Sequence, residues 1–134
     1  MTYDSGMEEK RNATHPPTIL IVEDDLDIGF ILAQVFKEEI QAHVLLATDG
    51  FQALKMLRAI HPTLCVFDYR LPGMDGLELV DQLRAIERSE QIPIVFMSAH
   101  LPKQAVEERG LVGVEKPFDL YHLADMVKVL INAE

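Results

Sequence analysis

Positive charge is what this chain has least of: 12 lysines and arginines stand against 22 aspartates and glutamates, a net charge of -10 over 134 residues. So acidic a surface repels phosphate backbones and anionic headgroups, which argues against direct nucleic-acid binding and against a membrane partner. Tryptophan is absent and cysteine occurs once, at Cys65, so no internal disulfide can form. Cys65 lies inside an apolar run and reads as a small buried hydrophobe. No apolar run approaches the roughly 18 residues of a membrane span, and the N-terminus shows no secretory signal pattern. These absences predict a soluble, cytoplasmic domain. The remainder is an ordinary globular balance, 49% hydrophobic and 25% charged, at a length that suits one domain.

The chain opens on a polar stretch, residues 1–17, that ends in His15-Pro16-Pro17 and has no apolar period; a flexible arm is expected there, ahead of a single domain over residues 18–132. Thr18 to Val22 is a compact β-branched run and predicts a strand. After Glu23-Asp24-Asp25, apolar residues at Ile28, Ile31, Leu32, Val35 and Phe36 have helical spacing with one buried stripe. Ala42–Ala47 predicts the second strand, Gly50–Ile60 the second helix, and Thr63–Phe67 the third strand. A helix from Gly76 or Leu77 to about Glu87, a strand over Ile92–Met97 and a short polar helix over Pro102–Arg109 follow. Leu111–Val114 gives a brief fifth strand, and Asp119–Asn132 the last helix. Five strands alternating with five helices predict an α/β fold, a parallel sheet wound on both faces through right-handed crossovers.

The polar residues that interrupt these apolar strands all fall at carboxyl ends, where open α/β sheets bind ligands. Strand one contributes Glu23 and Asp24, strand three Asp68, strand four Ser98, and strand five Lys116. Taken singly, the acids could cap a helix, Ser98 another, and Lys116 could be a surface charge; together at four strand ends they describe a site. Three clustered carboxylates call for a cation, and hard oxygen ligands suit Mg²⁺ or Mn²⁺. With one ammonium and one hydroxyl added, the set suits phosphoryl transfer, with Asp68 as the nucleophile that becomes an aspartyl phosphate.

The runs Ile19-Leu20-Ile21-Val22-Glu23-Asp24-Asp25, Asp68 with Leu71-Pro72-Gly73-Met74-Asp75-Gly76, Met97-Ser98-Ala99 and Lys116-Pro117-Phe118 resemble, in order and spacing, the response-regulator receiver domains of two-component signalling. The resemblance implies a flavodoxin-like strand order 2-1-3-4-5. It implies that Asp68 takes a phosphoryl group from a histidine kinase or histidine phosphotransfer protein. Glu23, Asp24, Asp68 and the backbone carbonyl of Arg70 would hold the metal. Ser98 would be the switch hydroxyl, Ala99 the small residue that leaves the phosphate pocket open, and Lys116 the phosphate partner. A cis bond at Pro117 would aim Lys116 inward. By the same resemblance the chain is not an enzyme beyond self-catalysed phosphoryl transfer and autodephosphorylation. It would signal to a further protein through its fourth-helix to fifth-helix surface, and stand alone without an output domain.

The sequence departs from that family at Gly113, three residues before Lys116, where an aromatic side chain is usual. The short helix Pro102–Arg109 is therefore expected to carry the response in its place. Arg70 is expected at the mouth of the pocket, and His100 at the surface. Other classes stay open: a receiver cut from a longer kinase or regulator, a scaffold that keeps only the fold, or an aspartyl-phosphate phosphatase. The last commonly has an acid two residues after the nucleophile, where this chain has Arg70. A flavodoxin-like mononucleotide binder would need a phosphate cradle where Glu23-Asp24-Asp25 stands.

Overall fold

The computed structural model describes residues 15–133; all but the last three positions of the expected N-terminal arm lie outside them. Strands β1 (Thr18–Val22), β2 (His43–Ala47), β3 (Leu64–Asp68), β4 (Ile94–Ser98) and β5 (Val112–Glu115) form one parallel sheet in the order β2-β1-β3-β4-β5. Helices α1 (Leu26–Ile40), α2 (Gly50–Ala59), α3 (Gly76–Arg84), α4 (Lys103–Glu108) and α5 (Leu120–Asn132) connect them. The expected fold class and strand order are those observed.

Alternation along the central strands divides the core in two. Leu20, Val22, Cys65, Phe67, Ile94 and Phe96 face α2, α3 and α4, while Ile19, Ile21, Leu64, Val66, Val95 and Met97 face α1 and α5. Every residue of β3 and β4 is buried, which is why these strands read as continuous apolar runs. The run breaks only where the strand reaches its carboxyl edge, at Asp68 and Ser98. Four helices start on an aspartate whose side chain accepts backbone amides of the first turn: Asp25, Asp49, Asp75 and Asp119. Helix α4 starts at Pro102 with no side-chain cap, and spans six residues.

Helix α1 differs from the expected stripe. Ile28 and Ile31 are 38% and 50% exposed, and the buried face is Gly29, Leu32, Ala33, Val35 and Phe36. Gly29 lies on that buried face: a Cβ there would lie 2.9 Å from Leu46 Cδ1, so the helix backbone comes close to a β2 side chain. Helix α3 ends at Arg84 rather than near Glu87, and a turn with Arg88 at φ 69° leads to β4. The Arg84 guanidinium holds that turn, donating Nη1–H to the carbonyls of Ser89 at 3.1 Å and Ile92 at 2.7 Å. Pro17 is tied to the sheet, its carbonyl accepting the His43 amide at 2.8 Å. Among the described residues no helix is long and apolar enough to cross a membrane.

Candidate functional site

Glu23 extends β1 by one more ladder bond, its amide donating to Ala47 O at 3.0 Å, and this places its side chain under the sheet edge at 1% exposure. One carboxylate oxygen accepts the Asp25 amide at 3.2 Å; the other, Oε1, is buried with no hydrogen-bond partner. Asp24 is exposed beside it, and Asp68 closes the group from the end of β3. The three side chains each offer an oxygen within 4.8 Å of the others. Lys116 faces them from the turn after β5, its Nζ 3.0 Å from Asp68 Oδ1 and 3.9 Å from Glu23 Oε1. The Lys116-Pro117 bond is cis, and the Lys116 amide donates to Ser98 O at 2.9 Å.

One ammonium against three carboxylates leaves the group short of positive charge. Burial pushes the Glu23 carboxyl up from its ordinary 4.5 to about 7; the Asp68 charge works in the same direction, and the Asp25 amide and Lys116 oppose it. An orphaned, buried carboxylate oxygen that prefers a proton marks a place for a cation. Oxygen donors of this charge fit a small divalent ion.

Beside Asp68 a cavity of about 140 Å³ opens between Arg70, Ser98, Ala99, His100 and Lys116. A larger cavity, about 490 Å³, lies between Ile40, Thr63 and Ile131 at the opposite ends of the strands and touches none of these groups. The sequence-predicted residues Glu23, Asp24, Asp68, Ser98, Ala99 and Lys116 thus converge on one end of the sheet, with Arg70 at the rim. Ser98 Oγ donates to the His100 carbonyl at 2.9 Å and accepts the His100 amide at 3.2 Å. His100 is exposed, as expected, yet it also lines the cavity. Tyr69, the residue after β3, packs its ring on Phe96, centroids 5.7 Å apart, and also lines the cavity. An aromatic directly after a strand-end acid was the available signal.

Comparison with known proteins is decisive at this point, because the response regulator receiver domain model matches residues 19–128. The chain belongs to the response regulator receiver domain family. Sporulation initiation phosphotransferase F of Bacillus subtilis is 33% identical over 114 residues, covering 82% of this chain and 90% of that protein. Hybrid signal transduction histidine kinase D of Dictyostelium discoideum is 34% identical, covering 98% of this chain but only 9% of its own length. The family thus recurs both as a nearly whole protein and as a small part of a large one. Among solved structures, the receiver domain of a sensor histidine kinase from Pseudomonas aeruginosa superposes with a TM-score of 0.78 at 24% identity, covering 88% of this chain and 99% of that one. That structure holds a magnesium ion in its active-site cleft.

Proposed function

We propose that Asp68 of this receiver domain accepts a phosphoryl group from a phosphohistidine on a histidine kinase or histidine phosphotransfer protein. The observation that carries the reading is a carboxylate 5% exposed at a strand end, paired with an ammonium at 3.0 Å and opening on a cavity of phosphate size. An Asp68 oxygen attacks phosphorus as the P–N bond breaks, and the leaving imidazole takes up a proton. Lys116 shifts its ammonium toward the phosphoryl oxygens, Ser98 turns its hydroxyl to donate to one of them, and Ala99 leaves them room. Glu23, Asp24, Asp68 and the Arg70 backbone carbonyl would hold Mg²⁺ or Mn²⁺, which when bound neutralises charge on the transferring group. The neighbour's magnesium supports this assignment. A protein donor is supported by the exposed Leu26, Phe30 and Ile31 on α1, the helix that begins beside Asp24.

Beyond this exchange the chain performs only its own autodephosphorylation, and it passes the signal to a further protein from the cytoplasm. The test is incubation with Mg²⁺ and acetyl phosphate followed by intact-mass measurement. One added phosphoryl group is expected, and none in Asp68→Asn. No addition, or an addition that survives Asp68→Asn, sinks the reading and leaves a scaffold.

A further inference from the structure

A Cβ built on Gly113 would lie 3.0 and 3.3 Å from the two Leu101 methyls and 3.4 Å from Val106 Cγ1. The space over Gly113 is therefore not empty. The half-buried Leu101 fills it from the loop between β4 and α4, and shares it with Val106, the one buried residue of α4. The same loop begins at Ser98, which continues the Ile94–Phe96 row on the α4 side of β4. Its hydroxyl is held in both directions by the peptide groups of His100, the residue just before Leu101.

We propose that Leu101, seated on Gly113, is the positioning residue that transmits the state of Ser98 to α4. The inference rests on the phosphoacceptor reading above and adds a route to it. When the Ser98 hydroxyl turns to a phosphoryl oxygen, it must release the His100 carbonyl, whose peptide is the Leu101 amide. The loop then re-forms its hydrogen bonds, and Leu101 moves against the glycine floor. Val106 moves with it, because the two side chains share one niche. Helix α4 is suited to follow: it is six residues long and lacks a side-chain cap, so little internal cooperativity resists displacement. Its far end is fixed by the Arg109 guanidinium, Nε at 2.9 Å and Nη2 at 3.1 Å from the two Asp81 oxygens of α3. Motion is thereby confined to the end that Leu101 touches.

The probe is beryllium fluoride with Mg²⁺, a tetrahedral phosphoryl mimic, added to the full chain and read by amide and methyl NMR. Shifts are expected at Asp68 and Lys116, and also at Leu101, Val106 and the α4 amides. In Leu101→Ala, and independently in Gly113→Ala, which presses on Leu101, the shifts at Asp68 and Lys116 should persist while those in α4 lose most of their size. Leu101→Met, which keeps the apolar volume, should restore them. Site shifts retained with α4 responding in full in both variants overturn the lever alone. No response at Asp68 in the unaltered chain overturns the phosphoacceptor reading, and the lever with it.

Discussion

Replacing Glu23 by glutamine should stabilise the metal-free protein at alkaline pH, although Glu23 belongs to the site. The carboxyl is 1% exposed, has one oxygen without a hydrogen-bond partner, and is pushed up to about 7 in the folded chain. In the unfolded chain it regains its ordinary value of 4.5. A group raised on folding contributes stability that is complete below 4.5, falls away as pH rises, and is gone above about 7. At pH 8 the folded state holds an ionised, partly unpaired carboxylate, at a cost on the order of 3 kcal/mol. Glutamine keeps the shape and can still accept the Asp25 amide, but carries no charge. The gain of Glu23→Gln should thus be near zero at about pH 4 and approach ~3 kcal/mol at pH 8. Urea unfolding in EDTA across that range measures it. Saturating Mg²⁺ should shrink or reverse the gain, since a ligand bound only by the folded state stabilises by RT ln(1 + c/Kd) at free concentration c, and the variant has lost one charged donor. A gain equal at both pH extremes, or a loss at pH 8, would refute the electrostatic account and leave packing as the cause.

Two further substitutions probe the same site. Lys116→Met removes the ammonium 3.0 Å from Asp68; phosphoryl incorporation from acetyl phosphate should slow on the order of 100-fold while Mg²⁺ binds more tightly, and a rate within a factor of about two of the unaltered chain would count against its role. Gly76→Ala puts a Cβ 2.5 Å from the Asp68 carbonyl oxygen and 2.8 Å from Phe96 Cε1; backbone cannot yield as a side-chain tip does, so a loss of roughly 1–3 kcal/mol in chemical unfolding is expected, with slower phosphorylation.

The fold and the acidic site were legible because both rest on short-range rules. Strands buried on both faces leave no room for a polar residue until they end, so Asp68 and Ser98 mark their own strand termini. Four of the helices start on an aspartate cap, a local device that lies within a few residues of the helix it opens. Orientation was harder. Ile28 and Ile31 fit an apolar stripe, but the face turned to the sheet is the one that carries Gly29, which lets the helix come close to Leu46. A glycine's reason for being in a helix is visible only with its neighbour in place. Likewise Gly113 read as a missing aromatic, when the structure shows a leucine from another element covering it. The Arg84 clamp and the Arg109–Asp81 fork also escaped notice, since their partners are set by turn geometry and helix packing that no periodicity encodes.

The ammonium that balances Asp68 is 48 positions downstream, just past β5, a four-residue edge strand bonded only to β4. During synthesis, the Asp68 carboxylate therefore emerges long before its counter-charge, and a nascent chain released only through β4 has the acids without the base. The ion pair is complete only once the final strand is in place. By the same logic, fraying that one edge withdraws the ammonium 3.0 Å from the aspartate and leaves the acids of β1 and β3 where they are.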